Sequence, residues 1–550
     1  MDNRLALSLL ALLLLSAGCQ PGSSLPVPVV APAPTAAPLG GTVVIADWEA
    51  PSNFAVLSAR TQADLRAGAM VFSPLWDIGP DHRPSAQLTE TVPTPENGGV
   101  RQEAGRTVVR VALRRGLRWS DGFPLTALDA AFTWASIRDA GGGAGFGLDQ
   151  VFDVQALSDR NLKITFKAIN SAYLLIGPAL RPVPQHRLGT ESPAGWASSP
   201  FFALPDAVSG PFKPLSIKPG QEAHLIRNPL FGGPGGPATL DAIVYRAYSG
   251  HDAELAALAA GEADLGLHLA PGDLAELASQ RAARPVVVPG LRQEFLSPNH
   301  AAPLWAGPDS RLLLGALSAS IDRRRLVAML SPRGLPQSDL FGQQRAPAGD
   351  LEGAGAALDA GGWTRGSDGI RARAGTRLSF ELVAPCGSPE QADELEFLKQ
   401  TWLQLGVEAR TGCRDRTQLL AGFAEGGLIA TGHFEMALYS YSPAPDPSGW
   451  APLGVSDQIP TSQSNAGENW NRCSDPSLDR AFRDGQASFD PGRRRAAYRR
   501  AEDAWLAYHC TIPLFTAAVV VQVARRLHEV EVNPALQLET WRPERWWIRA

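Results

Sequence analysis

Apolar and polar positions alternate over Val109–Arg114. Val109, Val111 and Leu113 fall on one side, and Arg110, Ala112 and Arg114 on the other, which predicts a half-buried strand. Trp119-Ser120-Asp121-Gly122-Phe123-Pro124 then interrupts the pattern as a turn. After it the spacing becomes helical: Thr126 offers a cap, Asp129 suits the positive end, and Leu128, Phe132 and Ala135 share one face. Similar patterns predict strands at Gly41–Ala46, Asn161–Phe166, His224–Asn228, Leu240–Ala247, Val407–Arg410 and Ile512–Phe515. Helices are predicted over Ala253–Ala260, ended by Gly261, over Arg311–Leu330 and over Arg493–Tyr508. A further helix starts at the capping box Ser388-Pro389-Glu390-Gln391, puts Leu395, Leu398, Trp402 and Leu405 on one face, and stops at Gly406. Strands and helices taking turns in this way imply a partly parallel sheet in an α/β protein.

Several of these stretches share wording with a known family. Leu113-Arg114-Arg115-Gly116-Leu117-Arg118-Trp119-Ser120-Asp121-Gly122 resembles the signature of the bacterial extracellular solute-binding proteins of family 5, the peptide, nickel and opine receptors of ABC importers. Gly210-Pro211-Phe212, Asn228-Pro229, Gly261-Glu262-Ala263-Asp264, Ala316–Arg323, Glu352–Trp363, Asn469-Trp470-Asn471 and Ile512-Pro513-Leu514 resemble its later segments, in the same order. The resemblance implies a periplasmic-binding-protein-like fold of type II, with two lobes, a hinge and an extra inserted domain (the cluster C type). It places lobe I at 40–70, 207–294 and 517–550, an inserted subdomain of that lobe at 71–206, and lobe II at 295–516.

The N-terminus alters the picture. Arg4 followed by the apolar run Leu5–Leu15 reads as an export signal, too short to span as a mature helix. Leu15-Ser16-Ala17-Gly18-Cys19 resembles a lipobox, which makes residues 1–19 a lipoprotein signal peptide and Cys19 the lipidation site; Ser16 departs from the usual Leu, and an ordinary secretory signal is the alternative. Residues 20–39 carry Pro21, Pro26, Pro28, Pro32, Pro34 and Pro38 and read as a stiff tether. The expected location is therefore outside the cytoplasmic membrane, lipid-anchored on its outer face, at the cell surface or in the periplasm. Length argues for more than one core, since the chain has 550 residues. A net charge of −5 with scattered Arg gives no reason to expect nucleic acid.

Beyond Cys19 there are four cysteines, Cys386, Cys413, Cys473 and Cys510, an even number that favours disulfides in an exported chain. The expected pairs are Cys386–Cys413 and Cys473–Cys510. Members of the first pair end predicted strands on either side of one helix, where adjacent parallel strands bring them close. Buried free thiols are the alternative, and no CxxC or HxxxH spacing favours zinc.

Candidate ligand contacts are the aromatic residues near expected hinge segments, which line a closing cleft at low entropic cost. They are Trp48, Phe54, Phe295, Tyr439, Tyr441, Trp450, Trp470 and Phe515, with Ser442 and Asp446 from the segment Tyr439–Pro447. Core packing is the competing role for each aromatic, and turn capping for Asp446. In peptide-binding members of the family an Asp four residues before the Pro of a D/E-P pair holds the peptide's ammonium; here that position is Pro443. Enzyme chemistry finds little footing. No Gly-x-Ser-x-Gly elbow or HExxH is present among the nine histidines, Glu394 and Glu396 read as an exposed helix face, and the glycines at 141–147 read as a loop. No metal and no cofactor is expected. The expected function is capture of a small solute or short peptide and delivery to an ABC permease with its ATPase, by a monomer. Receptors for an oligosaccharide, opine or metal chelate, a sensor or chaperone-like binding module, and a hydrolase with an unrecognised site are the other readings.

Overall fold

The computed structural model describes residues 39–549 apart from 60, 141–146, 331–333, 342–345 and 466. The signal segment, the tether up to residue 38, Cys19 and most of the 141–147 glycines therefore lie outside the described residues. Ten strands build the main sheet: β1 (Thr42–Asp47), β2 (Phe212–Lys218), β3 (Glu222–Arg227), β4 (Ala242–Ala247), β5 (Leu265–Leu269), β6 (Ala283–Pro298), β7 (Ser379–Pro385), β8 (Glu408–Arg414), β9 (Met436–Tyr441) and β10 (Ile512–Ala524). Their order is β8-β7-β9-β6-β10-β5-β1-β4-β3-β2, and the two-residue strand Leu335–Pro336 pairs with β10 as an eleventh. The helices used below are α1 (Gln62–Val71), α2 (Ala127–Asp139), α3 (His251–Ala260), α4 (Pro389–Leu405) and α5 (Pro491–Tyr508).

The sheet belongs to two lobes. β1 pairs in parallel with β4 and β5 in the first, and β7 pairs in parallel with β8 and β9 in the second. The long antiparallel strands β6 and β10 run through both. Their pairing shifts register between Pro289 and Gln293. At that crossing a Cβ on Gly290 would lie 2.5 Å from the Ala517 carbonyl oxygen, so the strands meet there only because this residue has no side chain. A separate four-stranded sheet of Val100–Glu103, Arg106–Ala112, Asn161–Phe166 and Val151–Ala156 lies in the stretch expected to be inserted. It shares one continuous core with the first lobe, from Val43 and Ile45 to Val109 and Ile164.

Both faces of the second-lobe sheet are covered. Phe380, Leu382, Met436, Leu438 and Leu296 point into a layer with Leu398 and Trp402 of α4. Val383, Ala437, Tyr439 and Phe295 point to the other layer, with Ala501 and Trp505 of α5. α4 has the expected form: Ser388 accepts from the Gln391 N–H at 3.2 Å, Leu395, Leu398, Trp402 and Leu405 are buried, and Gly406 takes φ 85°. Cys386 and Cys413 are joined across the parallel β7–β8 pair, where Ala384 faces Cys413; Cys473 is joined to Cys510.

Three expectations change. α2 buries Ala127, Ala130 and Trp134 with Asp129 and Thr133, while Leu128 is exposed and Phe132 and Ala135 are only half-buried. The Asp129 carboxylate decides this by turning inward: it accepts from the Thr126 and Gln185 N–H groups at 2.8 and 3.0 Å, and the Thr133 hydroxyl supports the Val183 N–H at 2.9 Å. The helical run Arg311–Leu330 is two helices, Ser310–Ser320 and Arg323–Leu330. Ile321 is extended, and Asp322 accepts from the Arg324 and Arg325 N–H groups. Glu394 and Glu396 do not share an exposed face: Glu396 is exposed, but Glu394 is buried. Glu394, Leu398 and Trp402 form an i, i+4 row, so Glu394 extends the buried stripe of α4 by one turn.

Candidate functional site

A cavity of about 820 Å³ opens between the lobes beside the β6–β10 crossing. This is ample for a small organic ligand or a short peptide. Its two walls are built differently.

On the first-lobe wall every charge has a partner. Asp47 ends β1 fully buried. It accepts from Arg66 of α1 at 3.1 Å and from the Tyr245 hydroxyl of β4 at 2.5 Å, and meets His268 Nδ1 at 2.6 Å. The same Arg66 donates through Nε to Glu539 at 2.6 Å. Burial pushes the Asp47 carboxyl up, but the hydrogen bond and charge of His268, with Arg66 and Tyr245, outweigh it and hold the group below its usual range. His268 sits at φ 53°, where β5 slips register between Gly266 and Leu269. Such a backbone is uncommon for a side-chain-bearing residue, and bulges of this kind re-aim side chains next to sites. Trp48 stands over the imidazole, ring centroids 5.4 Å apart, and is 60% exposed to the cleft.

The second-lobe wall is a cross-strand row continued by a helix. Ser440 of β9, Glu294 of β6 and Phe515 of β10 are neighbours across the sheet, and all three line the cavity. They stand on the same face as Leu296 and Leu438, where the layer between sheet and α4 reaches the cleft. Glu394 closes the layer from the helix side. Glu294 and Glu394 are only 3% and 2% exposed, and Glu294 Oε2 and Glu394 Oε1 have no hydrogen-bond partner. Arg292 Nη1 lies 3.5 Å from Glu294 Oε1, but its own side chain is half exposed. Burial raises both carboxyls; Glu294 pushes Glu394 up further, and Arg292 offsets part of the rise. The Cys386–Cys413 disulfide is exposed, and Cys386 lines the cavity beside Gly387 and Ser388.

Of the residues singled out by sequence, Trp48, Ser442 and Phe515 line the cavity. The structure places Phe54 in the first-lobe core, and Phe295 against Tyr439 (4.8 Å) and Trp450 in the layer facing α5. Tyr441 donates to the Gly449 carbonyl at 3.1 Å, and Trp470 to that of Gly467 at 3.2 Å. Asp446 caps the turn at Ser448 and is held bidentately by Arg494 at 2.8 and 2.6 Å. Strand alternation explains the split: Ser440 and Ser442 face the cavity, while Tyr439 and Tyr441 face the other way. Arg66, His268, Glu294 and Glu394 were missed. Glu294 carries no clear local signal, since it follows Arg292-Gln293 and only precedes the apolar pair Phe295-Leu296. Among the described residues no group of three or more His, Cys, Asp or Glu could hold a metal ion.

Comparison with known proteins adds three findings. Residues 90–457 match the family described as bacterial extracellular solute-binding proteins, family 5 Middle. Protein XP55 of Streptomyces lividans is 26% identical over 420 residues, covering 73% of this chain and 72% of that protein. Two solved structures share the fold: the oligopeptide-binding protein AppA from Bacillus subtilis, in complex with a nonapeptide (TM-score 0.72, 19% identity, 94% of this chain and 100% of that one), and the ABC transporter substrate-binding protein CtaP from Listeria monocytogenes (TM-score 0.76, 19% identity, 93% and 99%).

Proposed function

The chain belongs to the bacterial extracellular solute-binding proteins of family 5, and from that premise we propose that its interlobe cleft captures a short peptide or peptide-like solute and hands it to an ABC permease. The chain is the substrate-binding component of such an importer. The observation that carries the ligand reading is the 820 Å³ cavity set where two strands alone carry the sheet from one lobe to the other. Closing about the β6–β10 crossing buries a solute between the walls, and the closed form is what a permease can distinguish from the open one. The role is capture without reaction, performed by a monomer that is exported and held to the membrane through Cys19.

Mass spectrometry of what co-purifies with the full chain tests this. A ladder of short peptides is the expected result. A non-peptide solute is the second reading, favoured by Pro443, which stands where peptide-binding members carry an acid and is buried. A chain that is empty as isolated, and that gains no thermal stability from any member of a peptide and solute library, sinks both. Membrane fractionation of Cys19→Ala tests the anchor, with release of the protein as the expected outcome.

A further inference from the structure

Resting on the reading of this cleft as the solute site, we infer that Glu294 and Glu394 form the ammonium-binding subsite of this protein, so that its solutes carry a free amine. Both carboxylates are more than nine-tenths buried, both line the cavity, and each has one oxygen without a hydrogen-bond partner among the described residues. A buried carboxyl oxygen without a partner costs about 1–3 kcal/mol, and stability alone does not favour keeping two. A donor brought in from outside removes that cost. The missing partner is cationic. Among the described residues no Lys, Arg or His lies within salt-bridge distance of Glu394, and the one near Glu294, Arg292, is half exposed.

A primary ammonium matches the acceptors that are present. It has three donors set around one nitrogen. Glu294 Oε2, Glu394 Oε1 and the hydroxyl of Ser440, directly across the strand from Glu294, offer three acceptors. A guanidinium presents a planar fork that prefers both oxygens of one carboxylate. Among the described residues no group of three or more His, Cys, Asp or Glu is placed to hold a metal ion.

The charged groups around the pair fix its protonation. Arg292 on β6 and Glu390 on the first turn of α4 face both acids, and Gln391 and Ser440 are the neutral neighbours of Glu294. With one cation, Arg292, against three carboxyls, burial and like charge favour the protonated form of Glu394 in the empty subsite. Binding is then an exchange: the ammonium enters with its three protons, the carboxylic acid O–H of Glu394 is broken, and that proton leaves to the buffer.

The test uses the full chain and three probes: a mixture of tri- to pentapeptides with free amino termini, the same mixture N-acetylated, and 1,5-diaminopentane. Retention is read by mass spectrometry after size exclusion, and proton release by calorimetry in phosphate and in Tris. The expected result is that free-amine peptides are retained, acetylated ones are not, and each Glu→Gln variant weakens binding by about 30-fold or more. About one proton is released per ligand, and Glu394→Gln abolishes that release. Since Gln matches the protonated acid, Glu394→Gln keeps the melting temperature of the empty protein, so a loss of binding is not a loss of fold. Equal retention of both peptide mixtures overturns the inference and leaves the receptor reading intact. Binding of the diamine alone, lost in Glu294→Gln, supports the subsite and removes the peptide reading. Retention of none of the probes overturns the subsite.

Discussion

The two walls of the cleft are made of the same residue types and have opposite electrostatic character. On the first lobe, Asp47 and Glu539 converge on Arg66, with Tyr245 and His268 completing the set. On the second, Glu294 and Glu394 crowd together with only a half-exposed Arg292 nearby. The first wall's charges are paired and serve as a fixed frame, and its unpartnered cavity acceptors, Gln62 Oε1 and Asn533 Oδ1, are neutral. A wall with unsatisfied acidic acceptors is incomplete until something arrives. Among the buried acids of the cleft, it is the lack of a partner and not burial that separates Glu294 and Glu394 from Asp47.

The comparison can be broken at either wall. The largest effect is expected from Arg66→Met, which removes the guanidinium that Asp47 and Glu539 share. Stability should fall by about 3–5 kcal/mol, read from urea unfolding. A loss below about 1 kcal/mol means that the first wall is not the closed network described.

The next effect comes from Glu254 of α3, buried behind the first wall. It accepts from the Leu267 N–H at 3.0 Å but has a second oxygen without a partner. Burial, reinforced by the negative charge of Asp47, raises it to about 8. A carboxyl raised in the folded state supports folding while both states are protonated, and that support is lost as pH rises from the ordinary glutamate range through the folded value. The stability difference between Glu254→Gln and the parent should therefore grow in favour of the variant by about 3 kcal/mol between about pH 5 and about pH 8. Parallel curves in a pH series of thermal melts would contradict it.

The smallest effect concerns the two disulfides. Cys386–Cys413 is exposed at the cavity rim, while Cys473 and Cys510 are fully buried. Mild dithiothreitol should open the rim bond first, lowering stability by up to about 3 kcal/mol for a closed loop of this length. Mass mapping of alkylated thiols that found Cys473 labelled first would reverse the order.

The frame was far easier to read in the chain than the site. Strands such as Asn161–Phe166 and the whole of α4, with its Ser388 cap, apolar stripe and Gly406 stop, follow from local rules that need no knowledge of neighbours. The parallel β7–β8 pair even brought the first two cysteines to one place. The cleft residues escaped because their meaning is non-local. Arg66 finds its acids 19 and 473 positions away. Glu394 has an acidic neighbour, Glu396, that is plainly on the surface, and only the sheet across from it distinguishes the two. In β9 both faces are covered, so the alternation Tyr439-Ser440-Tyr441-Ser442 does not by itself say which of the two looks into the cavity. α2 failed for a related reason: Asp129 and Thr133 go inward to hold backbone groups of another segment, which no periodicity rule anticipates.

The route of the chain through the sheet also sets a timetable for its making. β1 opens the described chain and lies between β4 and β5, but β5 has its other edge covered by Val520–Val523 of β10, and Arg66 receives its second acid from Glu539. Residues early in the described chain are thus locked by residues as many as 473 positions later. A polypeptide emerging from its N-terminus carries an open strand edge, and Arg66 has only one of its two acids, until the segment through Glu539 is available, which is the interval in which open edges invite mispairing. Shortening the C-terminus should therefore damage the opposite end of the molecule, and a cell that secretes this protein has to shepherd its first lobe until the final segment has followed it.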